Sequence, residues 1–295
     1  MSAPPSRVVA VVSNKGGVGK TTVATNLAIY LRALREDLPV LLVGLDDQSV
    51  VDRMFALEPI RPDEPNLKHA WAERTLERAI RVGQYGVHFV PSPPETEALK
   101  TRGEDSGTLS RILARTAWDG VIVLDTKGDL EALTRNALVA ADRVILPVSD
   151  RGSLNAAGTA LALLAAERRA DRAKVLFTLV DARTRVEVGG SELLAVLERE
   201  VAERRWPRFR THLSRSPRAE ALISAGGVPL SVLHHARGTA LHRQMRELTE
   251  EVLCDLGVDA RGPETAHRAP RRVGEPRGRA VGDWKMALLR GLRGR

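Results

Sequence analysis

The 295-residue sequence has few cysteines, few aromatic residues and no long apolar run. Its single cysteine, Cys254, excludes a disulfide framework and any thiolate cluster built within one chain. We expect Cys254 to be a small buried apolar residue, because it falls within an apolar helical pattern. No apolar stretch approaches the ~18 residues that a membrane span needs. The N-terminal MSAPPSR also lacks the apolar core of a secretory signal, so we expect a cytoplasmic protein.

The composition is that of a globular protein, with 43% hydrophobic, 28% charged and 3% aromatic residues. The formal net charge of +8 is concentrated at one end of the chain. Residues 261–295 contain ten Lys or Arg and three Asp or Glu. The remaining 260 residues are close to neutral, so the basic character belongs to the tail.

Short β-branched runs alternate with longer helical patterns up to about residue 260. Most of the strands are continuous Val/Ile/Leu runs, which is typical of parallel strands covered on both faces. We predict strands at 7–13, 39–45, 86–92, 120–126, 142–149, 173–181 and 208–214. We predict helices at 20–34, 66–80, 108–116, 130–141, 152–169, 189–204, 216–225 and 238–256. This alternation predicts an α/β fold with a doubly wound, mostly parallel sheet and helices on both faces.

A glycine-rich loop lies between the first predicted strand and the first helix, in the order expected of a phosphate-binding loop. Its backbone N–H groups and the helix N-terminus suit phosphate. Lys20 should reach the β- and γ-phosphates of ATP, and the Thr21 hydroxyl should bind Mg²⁺. The loop departs from the usual pattern because Asn14 stands where a glycine is expected. The predicted nucleotide-binding residues of the loop are Lys15, Gly16, Gly17, Val18, Gly19, Lys20, Thr21 and Thr22.

The second lysine, Lys15, has no obvious role within one chain, because two ammonium groups in one tight loop repel each other. The residues K-G-G-V-G-K-T-T (15–22) resemble the deviant phosphate loop of the ParA/MinD family of P-loop ATPases. That resemblance implies a homodimer that encloses two ATP molecules, in which Lys15 reaches the partner's phosphates. Lys15 would then act in trans, as an arginine finger does.

The segment PVLLVGLDDQ resembles the family's switch I, typically D-x-D-P-Q. The resemblance implies that Asp46 orients the attacking water and that Gln48 matches the glutamine. Two positions differ, since Gly44 replaces the first aspartate and Asp47 replaces the proline. The missing carboxylate changes the surroundings that the resemblance implies for the magnesium ion, and with them the expected rate of hydrolysis.

The segment WDGVIVLDTKGDL resembles the strand that ends in D-T-P-P in the family, which implies that Asp125 lies on the magnesium side. Lys127 and Gly128 stand where two prolines are usual, so switch II is expected to be looser or differently charged. Asp181, in the segment VLFTLVDARTR, is a candidate contact of the nucleotide base. The resemblance as a whole covers about residues 7–257.

An arginine-rich stretch near the end of the body is a candidate footprint for a phosphate backbone. Residues 204–218 contain no acidic residue and six arginines: Arg204, Arg205, Arg208, Arg210, Arg215 and Arg218. ParA-like proteins bind DNA non-specifically through basic residues of this region, and the best candidates here are Arg215, Arg218 and Arg237. A merely solvated arginine face is the alternative.

The chain divides into a P-loop ATPase domain (1–260), an Arg/Pro/Gly linker expected to be disordered (261–282) and a short basic amphipathic helix (283–295). In that helix Trp284, Leu288 and Leu292 recur every four residues. The helix has three possible uses: attachment to an anionic membrane, as in MinD-like proteins, binding to DNA or a partner protein, or none.

The sequence thus predicts a ParA-like ATPase that uses ATP and Mg²⁺, dimerises around ATP and binds DNA non-specifically. A ParB-like or other partner would stimulate hydrolysis, so that DNA or another large cargo is partitioned or positioned on the nucleoid. The alternatives are a MinD-like membrane-cycling ATPase, with peripheral membrane localisation, and a slowly hydrolysing nucleotide-gated scaffold. A metabolic P-loop enzyme is disfavoured because it needs no lysine in trans. His234 and His235 are predicted to be ordinary loop residues.

Overall fold

The computed structural model describes residues 7–46, 50–92, 99, 105–181, 187–188, 191–218, 221 and 229–260. The predicted linker and terminal helix (261–295) lie outside these residues, as do Asp47 and Gln48 of the predicted switch I. Most of the predicted helix at 216–225 also lies outside them.

Seven strands form one sheet, in the order β3-β4-β2-β5-β1-β6-β7. Neighbouring strands are parallel except for the short edge strand β3, which is antiparallel to β4. The strands are β1 (Arg7–Val11), β2 (Val40–Gly44), β3 (Arg81–Val82), β4 (His88–Val90), β5 (Val121–Asp125), β6 (Arg143–Val148) and β7 (Ala173–Phe177). A separate two-stranded antiparallel pair consists of β8 (Glu187–Val188) and β9 (Ser191–Glu192).

Helices cover both faces of the large sheet. They are α1 (Lys20–Leu34), α2 (Val50–Phe55), α3 (Leu67–Glu73), α4 (Thr108–Arg115), α5 (Ala132–Ala140), α6 (Arg151–Ala166), α7 (Leu193–Glu203), α8 (Val232–His235) and α9 (Ala240–Asp255). Single turns of 3₁₀-helix lie at Glu77–Ala79, Gln84–Gly86 and Ala170–Arg172. No helix in the described part of the chain is both long and apolar enough to cross a bilayer.

The two faces of the sheet have separate apolar cores, since successive side chains of a strand point to opposite faces. In β1, Val8 and Ala10 pack in the core under α3 to α7, whereas Val9 and Val11 pack in the core under α1, α2, α8 and α9. All four side chains are at most 5% exposed. The continuous apolar run of β1 thus supplies both cores, which confirms the predicted doubly wound fold.

Several elements differ from the sequence prediction. The predicted helix 66–80 is shorter, because α3 ends at Glu73 and Arg74 follows in a left-handed conformation with φ 60°. The predicted strand 208–214 forms only two isolated bridges to the region of β7, at Arg208 and Ser214. Helix α2 was not predicted, since six residues are too few for a periodic apolar pattern.

Two predictions about single residues were wrong. Cys254 is exposed. The buried stripe of α9 runs through Leu241, Met245, Leu248 and Val252, and Cys254 points away from it. His234 and His235 are not loop residues but the last two residues of α8, which Ser231 caps at its N-terminus.

The strand register places chemically important residues side by side at the carboxyl edge of the sheet. Val11 pairs with Asp125 across β1 and β5, and Gly44 pairs with Asp125 across β2 and β5. In open α/β sheets, ligands bind at this edge, near the point where the strand order reverses. The order β2-β5-β1-β6 puts the loop after β1 at the centre of that edge.

Candidate functional site

The loop between β1 and α1 has the conformation of a phosphate cradle. Gly17 and Gly19 have φ angles of 76° and 87°, a left-handed conformation that residues with a side chain rarely adopt. The loop runs directly into the N-terminus of α1, where backbone N–H groups favour an anion.

Lys20, the first residue of α1, points back over this loop. It is 8% exposed, and its ammonium donates a hydrogen bond to the Lys15 carbonyl at 3.0 Å. Burial lowers the pKa of Lys20, and the nearby carboxylates of Asp125, Asp46 and Asp129 oppose that shift. A buried ammonium that donates to a neutral carbonyl suits a bound polyphosphate, which would supply the opposite charge.

The predicted magnesium residues come together beside Lys20. Asp125 is 2% exposed and accepts a hydrogen bond from the Thr21 side chain. Its Oδ1 atom is buried and accepts no hydrogen bond from the described residues. Burial raises the pKa of Asp125 to about 7. A buried carboxylate oxygen beside a threonine hydroxyl fits a small hard cation such as Mg²⁺, which would restore the charged form.

Asp46, from the predicted switch I, lies next to these residues. Asp46, Thr21 and Asp125 line one small cavity together with Gly44 and Ser92. Among the described residues, no group of three or more His, Cys, Asp or Glu side chains could hold a metal ion by itself.

Lys15 is directed away from its own phosphate cradle. Its Nζ atom lies 2.7 and 2.6 Å from the two carboxylate oxygens of Asp150. The side chains of this pair are 40% and 41% exposed. Asp150 follows β6 and caps α6, accepting a hydrogen bond from Ser153 N at 2.8 Å. The two lysine side chains therefore lie apart, with Lys20 buried over the loop and Lys15 at its rim.

The end of β2 shows how the chain accommodates the missing switch I aspartate. A Cβ atom at Gly44 would lie 3.2 Å from Ser92 Oγ and 3.2 Å from Val51 Cγ2. Ser92 donates a hydrogen bond from Oγ to the Gly44 carbonyl at 2.6 Å. Its backbone N–H donates to the Asp52 carboxylate of α2, with Oδ2 at 3.0 Å. Burial raises the pKa of Asp52 to about 6, although Arg81 opposes the shift.

Switch II departs from the family pattern but lies close to the cradle. A Cβ atom at Gly128 would be 3.2 Å from Lys20 Nζ and 3.5 Å from the backbone nitrogen of Gly16. Asp129 follows and accepts hydrogen bonds from Glu131 N and Thr134 Oγ1 near the start of α5. The segment after β5 is thus packed against the phosphate loop.

Asp181 lies four residues after β7, at the end of the predicted strand 173–181. The segment between them is tied to the phosphate loop, because Thr178 Oγ1 donates to the Val18 carbonyl at 2.9 Å. Asp181 lines a small groove with residues of β6, β7 and α7. Its contact with a nucleotide base stays a prediction.

Five of the six arginines of the arginine-rich stretch fall into two groups along the chain. The first consists of three arginines in ion pairs at 3.3, 3.3 and 3.8 Å: Arg204 with Glu200, Arg208 with Glu198, and Arg210 with Glu251. The second consists of Arg215 and Arg218, which are exposed. The backbone of Arg215 donates to the Val180 carbonyl at 2.8 Å, which places this group near the nucleotide edge. Arg237, also exposed, follows α8 on a different part of the chain.

Three residues around the site were not predicted from the sequence: Asp150, Ser92 and Asp52. A helix N-terminus at Asp150 was recognisable, because Asp-x-x-Ser after an apolar strand is typical of a capped helix. Nothing in the sequence links it to Lys15, 135 residues away. Ser92 and Asp52 meet Gly44 only through the pairing of β2 with β4 and the position of α2.

Comparison with known proteins relates this chain to partitioning ATPases. A family model for an AAA domain matches residues 6–165. The chain is 30% identical over 253 residues to the chromosome-partitioning ATPase Soj of Thermus thermophilus, covering 84% of this chain and 95% of that protein. It is 29% identical over 157 residues to the chromosome partitioning protein ParA of Caulobacter vibrioides, covering 50% of this chain and 58% of that protein.

Solved structures show the same fold. An ATP complex of a variant of Cyanothece McdA has a TM-score of 0.67 at 17% identity, covering 88% of this chain and 98% of that one. Cobyrinic acid a,c-diamide synthase from Mycobacterium smegmatis, with bound ADP and magnesium, has a TM-score of 0.64 at 23% identity, covering 85% and 96%. With the Soj relationship extending over most of both chains, this protein belongs to the ParA/MinD-type family of P-loop ATPases.

Proposed function

We propose that this ATPase forms a dimer around two ATP molecules, binds DNA non-specifically in that state and hydrolyses ATP when a ParB-like or other partner stimulates it. The cycle would partition or position DNA or another large cargo on the nucleoid. The relatives Soj and ParA are chromosome-partitioning proteins, which supports the choice of cargo class. The single observation that carries the proposal is the separation of the two loop lysines.

Within one chain the nucleotide needs only Lys20. The glycine-rich loop and the buried Lys20 ammonium suit the β- and γ-phosphates of ATP. Thr21 and Asp125 would hold Mg²⁺, which would neutralise charge on the phosphates, and Asp46 would orient the attacking water. Asp181 is the proposed contact of the base.

Lys15 is available to serve a second nucleotide. It stands at the rim of the loop with 40% of its side chain exposed, and it is held there by an ion pair rather than by burial. An exposed ion pair of this kind is worth about 1 kcal/mol or less, so a partner's phosphates can compete for the ammonium. We therefore assign Lys15 to the partner's ATP, where it would contribute about 10³-fold or more to hydrolysis.

For DNA, the proposed contacts are Arg215 and Arg218, with Arg237 as a further candidate. All three are exposed, and Arg215 lies near the nucleotide edge because its backbone N–H donates to the Val180 carbonyl. We propose that dimerisation around ATP brings two copies of this surface close enough to contact one DNA molecule. Binding would then depend on the nucleotide, as a partition cycle requires.

The test is DNA co-sedimentation of the wild type, Lys15→Ala and residues 1–260, each with ATP, ADP or no nucleotide. We expect ATP-dependent binding that survives the truncation and disappears in Lys15→Ala. Binding that ignores nucleotide and disappears on truncation would instead assign the polyanion affinity to residues 261–295. Vesicles of anionic lipid, tested with the same three proteins, would then decide for or against the MinD-like alternative.

A second arm tests the arginines. The double variant Arg215→Ala/Arg218→Ala should weaken DNA binding. The fall of log affinity with log salt concentration should also become less steep, by about one unit of slope for each phosphate that the protein no longer neutralises. The matched control is Arg204→Ala/Arg208→Ala, which removes two arginines already paired with glutamates. Equal weakening in both double variants would mean that overall charge, not this surface, binds the DNA.

A further inference from the structure

The cavity beside the proposed magnesium site is lined on one side by a residue from outside both switches. Thr21 comes from the phosphate loop, Asp46 from switch I and Asp125 from the end of β5. The fourth polar side chain is that of Ser92, just after β4. The space open to the centre of a water molecule is about 10 Å³, about what a single water needs.

Ser92 occupies this place because Gly44 has no side chain. Strands β2 and β4 pair in parallel, with Val43 opposite Val90, so their carboxyl ends lie together. At the next position along β2 the glycine leaves room, and the Ser92 hydroxyl lies 3.2 Å from where a Cβ atom would be. A side chain at position 44 and the hydroxyl of Ser92 would therefore compete for the same space.

The Ser92 hydroxyl is held in one orientation. The side chain is 1% exposed, and its proton is directed to the Gly44 carbonyl at 2.6 Å. The backbone of Ser92 is fixed separately by the Asp52 carboxylate. A hydroxyl has one proton to donate and two lone pairs with which to accept. Since its proton is used, what Ser92 offers to the cavity is a hydrogen-bond acceptor.

We propose that Ser92 positions the water that attacks ATP, together with Asp46. One O–H of the water would donate to Ser92 Oγ and the other to the Asp46 carboxylate. With both protons directed to fixed acceptors, a lone pair of the water is left to face the γ-phosphorus. This inference rests on the proposed function, which places the γ-phosphate over Lys20 and next to this cavity.

The reaction that this arrangement serves is a simple displacement. The water oxygen forms a bond to the γ-phosphorus as the bond from that phosphorus to the β,γ-bridging oxygen breaks. The electron pair of the broken bond stays on ADP, and both protons of the water remain with the released dihydrogen phosphate. Ser92 gains and loses no proton, so its contribution is positional.

The decisive variant is Ser92→Ala, which removes the acceptor and leaves the rest of the side chain. Its matched control is Thr249→Val, since Thr249 is equally buried and donates from its hydroxyl to a backbone carbonyl at 2.7 Å, but lies on α9. Single-turnover hydrolysis with enzyme in excess gives the chemical rate, a fluorescent ATP analogue gives the affinity, and thermal melting reports the fold.

We expect Ser92→Ala to lower the single-turnover rate about tenfold to a hundredfold. ATP affinity should stay within about twofold of the wild type, because the hydroxyl would contact the water and the Gly44 carbonyl but not ATP. Ser92→Ala and Thr249→Val should lower the melting temperature to a similar extent. Thr249→Val should leave the hydrolysis rate unchanged. A wild-type rate in Ser92→Ala would overturn the proposal, as would equally slow hydrolysis in both variants or no single-turnover hydrolysis by the wild type.

Lys15→Ala, measured in the same assay, separates this inference from the proposed function. If Lys15→Ala hydrolyses normally while Ser92→Ala does not, the dimer around ATP is wrong and the role of Ser92 stands. If Lys15→Ala is inactive while Ser92→Ala is normal, the dimer stands and Ser92 has only a structural role.

Discussion

Replacing Asp150 by asparagine should make the ATP-dependent dimer form more readily. Asp150 holds the Lys15 ammonium at 2.6 Å in the single chain, and that ion pair must break before Lys15 can reach a partner's phosphate. Asparagine removes the charge but remains as good an N-cap as aspartate, so α6 should keep its N-terminus. The substitution thus changes the hold on Lys15 with little effect on the fold.

The size of the effect follows from the exposure of the pair. Both side chains are about 40% exposed, so solvent screens the attraction and its worth is about 1 kcal/mol or less. The pKa of Asp150 is below its usual range: burial raises it, but hydrogen bonds from Lys15 and Ser153 more than offset the burial. Losing about 1 kcal/mol corresponds to a dimer dissociation constant lower by up to about fivefold.

The assay is sedimentation velocity over a range of protein concentrations with a non-hydrolysable ATP analogue. Asp150→Ala is the companion variant, because it frees Lys15 as well but also removes the cap of α6, at a cost of about 1 kcal/mol in stability. Both variants should dimerise more tightly, and Asp150→Ala should melt at a lower temperature than Asp150→Asn, because both lose the ion pair but only Asp150→Ala also loses the cap. Weaker dimerisation of Asp150→Asn would refute the reasoning, since it would show that the carboxylate acts in the dimer rather than against it.

Two further predictions concern buried charges. Burial raises the pKa of Asp52 from 3.8 to about 6, although the Ser92 backbone N–H and Arg81 oppose the shift. The ionised carboxylate therefore lowers the stability of the fold as the pH rises from 3.8, fully above about pH 6, and has no such effect below pH 3.8. Asp52→Asn should therefore stabilise the protein by up to about 3 kcal/mol at pH 7.5 and by almost nothing near pH 4; a gain independent of pH in denaturant titrations would contradict this. Lys20→Ala should lower ATP affinity about a hundredfold or more without lowering the melting temperature, because a buried ammonium adds binding but no folding energy. A large fall in the melting temperature of Lys20→Ala, measured without nucleotide, would show that Lys20 supports the fold instead.

The sequence alone determined the features that depend on neighbouring residues. The conformation of the phosphate loop follows from glycines at positions 17 and 19, which supply the left-handed turns. The strand β1 follows from its apolar run, and α9 follows from an apolar residue at every third or fourth position. Each of these signals is local, so it can be read without knowing which strands pair.

Only the tertiary structure decided which distant residues meet. Lys15 contacts Asp150 because the loop after β1 and the start of α6 follow adjacent parallel strands. Ser92 fills the place beside Gly44 because β2 and β4 pair in one particular register. In the same way, glutamates of α7 and α9 neutralise part of an arginine cluster that looks uniformly basic in the sequence. Such contacts depend on strand order and register, which many separate apolar contacts set together and no short stretch of sequence encodes.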